Sequence, residues 1–174
     1  MSNSRIGGWL GHRKKFLAKA GVSLALLMTA MHYGQARFSI AYDVNPENCI
    51  ADYNVFAVDW RNTDLERGAI YVFESRGVEP IFDDGVHIAK YLRGMPGDTV
   101  RIDENEHIYI NGELIGDTLQ YAHRLGREPA DFFGEGVIPE GEYWFFGDTD
   151  VSFDSRYWGG VQKEQILGRA HGIY

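Results

Sequence analysis

Cysteine is nearly absent from this 174-residue sequence: Cys49 stands alone, which excludes an intrachain disulfide and any cysteine-cluster metal site. The six histidines, at 12, 32, 87, 107, 123 and 171, show no His-x-x-x-His or comparable ligand spacing, so no metal site is expected. A Gly-x-x-x-x-Gly-Lys phosphate loop is missing too, and no cofactor is implied. Internal repeats and low-complexity tracts are absent. Basic charge is scarce, with 17 Lys+Arg against 25 Asp+Glu. A formal charge of -8 argues against nucleic acid as a partner, because such binding needs a basic face. Acidic residues are in turn missing from one region: residues 1–36 contain Arg5, Arg13, Lys14, Lys15 and Lys19 but no Asp or Glu. Residues 37–174 therefore carry 12 cations against 25 acids, a formal -13. The rest is ordinary for a folded chain, at 44% hydrophobic and 24% charged, and the length suits one domain.

The basic head has the layout of an export element. His12-Arg13-Lys14-Lys15 precedes residues 20–33, AGVSLALLMTAMHY, which are apolar or weakly polar apart from His32. Cations stay on the cytoplasmic side while an apolar helix enters the bilayer. Adding Phe16, Leu17 and Ala18, with Lys19 snorkelling back, brings the run towards the ~20 residues a span needs. Gly34-Gln35-Ala36 has the small-x-small form of a cleavage site, so retention as an anchor and release of the body both remain open. A buried amphipathic helix of a cytosolic domain is the plainer alternative. The expected division is a signal-anchor over 1–36 and an extracytoplasmic domain over 37–174.

The body reads as strands. Residues 54–59 and 69–73 are short apolar runs with polar borders. Asn111-Gly112 between two strand-like runs predicts a two-residue hairpin, Met95-Pro96-Gly97-Asp98 a type II turn, and residues 143–146 a strand introduced by Pro139-Glu140-Gly141. Residues 116–136 lack a clean period and read as an excursion from the sheet, with a short helix or turn around 121–127. The fold class expected is mainly β, an antiparallel sheet or barrel-like domain after one N-terminal helix.

Lys90 sits in Val86-His87-Ile88-Ala89-Lys90-Tyr91-Leu92, a largely apolar strand-like run. Desolvation there favours the neutral amine, which can act as general base for a hydroxyl or thiol nucleophile. A surface lysine protecting an edge strand is the bland alternative.

The run Lys90-Tyr91-Leu92-Arg93-Gly94-Met95-Pro96-Gly97-Asp98 resembles the lysine box of the bacterial type I signal peptidase family, where a catalytic lysine stands four residues before Gly-x-Pro-Gly-Asp. Upstream, Arg67-Gly68-Ala69-Ile70-Tyr71-Val72-Phe73 is similar to that family's Arg-Gly-Asp strand, with Ala69 replacing the acid. Downstream, residues 147–159 (GDTDVSFDSRYWG) and Gly168-Arg169-Ala170 match its last boxes. The order is the family's, over most of residues 67–170. Within it, the likeness is nearest to the short TraF-type peptidases of conjugative transfer, with one apolar N-terminal segment, a compact body and a last box one residue shorter.

The resemblance implies roles. Lys90 is the general base, Ser152 orients its amine, Asp154 and Arg156 form a supporting ion pair, and Asp148 helps fix the loop. All of these but Lys90 also suit a purely structural part. The family's serine nucleophile precedes the first core strand; aligned on residues 55–58 and on Arg67-Gly68, that position falls on Cys49, in Asn45-Pro46-Glu47-Asn48-Cys49. A thiol is a sound replacement, being intrinsically more nucleophilic. Ser39 is the alternative nucleophile, in a strand-like context without the Pro-containing turn, and an inactive site is a third possibility. The oxyanion is met in the family by the nucleophile's own N–H and a nearby donor; here Asn48 is the candidate.

These features together predict a membrane-anchored endopeptidase of a bacterial inner membrane with its catalytic domain in the periplasm. Its partner is an exported precursor or pilin, in a conjugative transfer machinery, with an acyl-enzyme released by water or by an amine of the substrate. The rival is a non-catalytic periplasmic docking protein that retains the peptidase fold.

Overall fold

The computed structural model describes residues 3–44, 48–79 and 81–174. The chain folds as two compact units, Met1–Phe38 and Ser39–Tyr174.

The first unit is essentially one helix, α1 (Asn3–Arg37). Ala, Leu and Met dominate its central stretch and no proline interrupts it, so nothing in the sequence stops the turns from propagating. Arg37 in the last turn suits the negative end of the helix. The part over Arg13–Arg37 is long and apolar enough to cross a membrane by length and composition. Its large apolar side chains are exposed, Leu26 at 67% and Met28 at 63%.

The second unit is built from two antiparallel sheets. The larger contains β1 (Phe38–Tyr42), β2 (Val55–Asp59), β3 (Ile70–Glu74), β4 (His87–Gly94), β9 (Glu142–Phe146), β10 (Val161–Gln162) and β11 (Ile166–Gly172). Their order is β1-β2-β11-β3-β4-β9-β10. The smaller sheet runs β7-β6-β5-β8, from β5 (Thr99–Ile102), β6 (Ile108–Ile110), β7 (Glu113–Gly116) and β8 (Gly134–Val137). A mainly β fold with antiparallel sheets is what the sequence patterns predicted.

Alternation explains β4. Ile88, Lys90, Leu92 and Gly94 are buried on one face while Ala89, Tyr91 and Arg93 are half-buried on the other. The β6–β7 hairpin turns at Asn111 and Gly112, with φ of 52° and 82°; both central positions of this turn need positive φ, which Asn and Gly tolerate. At the Pro-Gly turn, the Asp98 N–H donates to the Met95 carbonyl at 3.0 Å. The excursion over 116–136 holds a short 3₁₀ turn, His123–Leu125, within the span predicted. It ends earlier than expected, because β8 begins at Gly134 and pairs with β5. Gly-Glu-Gly-Val has no apolar alternation, so backbone bonding alone makes it a strand.

Three apolar clusters hold the domain. One joins Val100, Ile102, Ile108 and Ile110 of the small sheet to Tyr121, Phe146, Phe153 and Tyr157. A second packs Tyr71, Phe73, Ile88, Leu92, Phe145 and Ile166, and a third Ile50, Phe56, Val58, Ile70, Val72 and Ala170. Each Val, Leu, Ile or Phe side chain among them, once buried, stabilises the fold by roughly 1.5–3 kcal/mol. Lys90 lies inside this frame at 1% exposure.

Candidate active site

β4 carries Lys90 inward between Ile88 and Leu92, and its Nζ donates to Ser152 Oγ at 2.9 Å. Ser152 is wholly buried and its N–H donates to the Thr149 carbonyl. A buried amine needs a polar partner, and this hydroxyl supplies one.

The loop 147–152 also holds the segment around Cys49. The Asp148 N–H donates to the Cys49 carbonyl at 3.0 Å, the Ala51 N–H to Asp148 Oδ1 at 2.8 Å, and Thr149 Oγ1 to the Asn48 carbonyl at 2.8 Å. Gly147 makes this approach possible: a Cβ there would stand 2.3 Å from both the Cys49 carbonyl oxygen and Ser152 Oγ. One loop thus fixes the backbone of the thiol and the partner of the amine.

Beneath the loop, Asp154 and Arg156 make a paired contact, Nε to Oδ1 and Nη2 to Oδ2, each at 2.8 Å. Asp154 also accepts the N–H of Gly147 at 3.0 Å, and Arg156 donates to the carbonyls of Thr118, Thr149 and Ser152. Burial works against the Arg156 charge, but the adjacent Asp154 carboxylate outweighs it and raises the guanidinium above its usual value. These bonds organise backbone; Asp154 is fully buried and Arg156 is 5% exposed.

Cys49, Lys90 and Ser39 line one cleft of about 730 Å³. Cys49 is half-buried there. Ser39 Oγ accepts a hydrogen bond from Trp60 Nε1 at 2.8 Å. Asn48 does not line this cleft; its Nδ2 donates to Asn54 Oδ1 at 2.8 Å. Of the preceding turn, Asn45, Pro46 and Glu47 lie outside the described residues. No group of three or more potential metal-ligating side chains occurs among the described residues.

Strand edges open into the same cleft. The β4–β9 pairing ends at Tyr91 with Phe146, so no strand among the described residues covers Ile88, Ala89 and Lys90 on that side. β1 is the terminal strand of its sheet, and Ser39, Ile40, Ala41 and Tyr42 face the cleft opposite.

The other motif residues are elsewhere. Arg67 grips Asp98 through two bonds, of 2.7 and 3.1 Å, and Asp98 also accepts from the Met95 N–H and from Asn111 Nδ2. Burial alone would raise the Asp98 carboxyl, but the hydrogen bonds from Arg67, Met95 and Asn111 hold it below its ordinary value. Ala69, where the family motif carries an acid, packs against the Tyr71 cluster. Sequence reasoning overlooked Gly147 as a contact point, and Trp60, His87, Tyr121 and Arg124 as cleft walls. Only the Gly-Asp pair opening the last motif signalled any of them.

The sequence pattern described as "Signal peptidase, peptidase S26" matches residues 14–174. The chain is 29% identical over 158 residues to a probable signal peptidase I-2 of Synechocystis sp., a match covering 88% of this chain and 70% of that protein. It is 30% identical to a signal peptidase I of Pseudomonas aeruginosa, covering 64% of this chain and 49% of the relative. A signal peptidase I of Bacillus licheniformis is 31% identical over 60% of this chain and 61% of its own length. The chain thus spans about half to 70% of the length of these relatives. Among solved structures, a signal peptidase I from Enterococcus faecalis V583 aligns with TM-score 0.39 and 26% identity, over 60% of this chain and 95% of that one.

Proposed function

This chain belongs to the S26 signal peptidase family, and we propose that it is a membrane-anchored endopeptidase that cleaves an exported precursor through Cys49 and Lys90. The observation that carries the proposal is the shared cleft: a half-buried thiol and a buried amine line one cavity, beside two open strand edges. An extended precursor segment adds to the edge of β1 or β4, its main chain satisfying the unpaired backbone groups.

The Lys90 amine takes the thiol proton as Cys49 Sγ attacks the scissile carbonyl carbon. Ser152 holds the amine in one orientation during this transfer. The tetrahedral intermediate collapses by breaking the C–N bond, Lys90 returns the proton to the leaving amine, and a thioester remains on Cys49. Water, losing a proton to Lys90, then hydrolyses the thioester to a carboxylate and restores the thiol; an amine of the substrate in the same position gives cyclisation.

Arg13, Lys14, Lys15 and Lys19 at the start of the apolar stretch support an orientation with that end in the cytoplasm and the Ser39–Tyr174 unit in the periplasm of a bacterial inner membrane. The single apolar segment, compact body and short last motif support a TraF-type enzyme with a pilin precursor as substrate in a conjugative system.

The test incubates candidate precursor with wild type, Cys49→Ala, Ser39→Ala and Lys90→Ala and follows product mass. Cys49→Ala and Lys90→Ala are expected to lose processing and Ser39→Ala to keep it. Intact processing by Lys90→Ala would overturn the Lys90-dependent enzyme, no processing by wild type would leave the docking protein, and loss in Ser39→Ala alone would move the nucleophile to Ser39.

A further inference from the structure

The excursion over 116–136 takes no part in the chemistry above, yet it reaches the same cleft. It places Tyr121 and Arg124 on the wall shared with Cys49 and Lys90. Tyr121 is a fixed platform. It is 6% exposed, its N–H donates to Tyr157 Oη at 3.1 Å, and its ring lies 5.5 Å from Phe153 and 6.0 Å from Tyr157. Arg124 lies on that platform, with Cζ 4.6 Å from the ring centroid and Nη1 donating to Tyr121 Oη at 2.9 Å.

A long cation at a surface ordinarily sweeps many rotamers, and ordering it weakens any contact it makes. Stacking on a buried tyrosine removes much of that freedom before a ligand arrives. Among the described residues, Asp43, His87 and Lys90 are the other acid- or base-type side chains of the cleft walls. The charge of Arg124 runs against a body of formal -13. A stacked cation in an acidic domain, beside the reacting pair, is placed to read the opposite charge on a bound chain.

Resting on the peptidase reading, we infer that Arg124 is a specificity-determining residue that selects precursors with an acidic side chain close to the scissile bond. The planar guanidinium takes the substrate carboxylate through charge-assisted N–H bonds, while Tyr121 sets its distance from Cys49.

The full-length protein in detergent is given a randomised peptide pool, and cleavage products are sequenced by mass spectrometry. Lys90→Ala is the inactive control, with Arg124→Gln and Arg124→Glu beside it. Wild type is expected to favour Asp or Glu at one fixed offset from the cut by about fivefold to tenfold, the size of a hydrogen bond to a charged group. Arg124→Gln is expected to lose that preference and Arg124→Glu to turn it towards Lys or Arg at the same offset. Peptides neutral at that offset are expected to be cut at rates within about twofold of wild type, because selectivity is a difference of affinities rather than a loss of chemistry. An unchanged preference in both variants, or an equal fall on all peptides, overturns the inference while leaving the peptidase standing. No cleavage by wild type, or equal cleavage by Lys90→Ala, overturns the peptidase reading and the inference with it.

Discussion

Gly147 carries more of the site than its size suggests. A methyl group there collides with the Cys49 carbonyl and with Ser152, the hydroxyl partner of the Lys90 amine. Gly147→Ala is therefore expected to destabilise the domain by about 1–3 kcal/mol, the usual cost of overpacking, and to lower processing by more than that loss explains. Thermal unfolding and product formation, measured together, check both. Ser152→Ala differs, since removing the hydroxyl leaves the Lys90 amine buried without that partner. A drop in kcat of about 10²-fold with little change in KM is expected, because only the orientation of the amine is lost. The sequence showed Lys90 and Ser152 as members of separate motifs 62 positions apart. It did not show that the Asn48 amide faces Asn54, since such a choice depends on side-chain geometry that no spacing encodes.

At the scale of elements, the turn after β4 is a clasp closed by charge. Asp98 has its carboxyl held below the ordinary value of 3.8, with burial opposed by Arg67, Met95 and Asn111. A carboxyl lowered on folding stabilises the fold fully above its unfolded value and loses that contribution as pH falls through the lower folded value. Asp98→Asn is thus expected to reduce stability at neutral pH and to show a smaller further loss than wild type below about pH 4. Urea midpoints across pH give the comparison. Asp154→Ala strands Arg156 as a buried cation without its carboxylate, and a loss of about 3–5 kcal/mol is expected by denaturant titration. Strands β2, β3, β4 and β9 were legible because their apolar runs alternate or stay buried. β8 and the helix over Ser155–Trp158 were not, one lacking alternation and the other too short for a helical period.

For the molecule as a whole, one cysteine and a divided charge turn out to be linked. The basic helix is suited to a membrane, and the acidic domain keeps its lone thiol in the cleft that holds the buried lysine. The central claim is that Lys90 activates Cys49, and it needs no substrate to be tested. The rate of Cys49 carboxamidomethylation at neutral pH, followed by intact mass, is compared in wild type and Lys90→Met. Since the thiolate is the reacting form, wild type is expected to react at least about tenfold faster. Equal rates in the two proteins would contradict the pairing of amine and thiol.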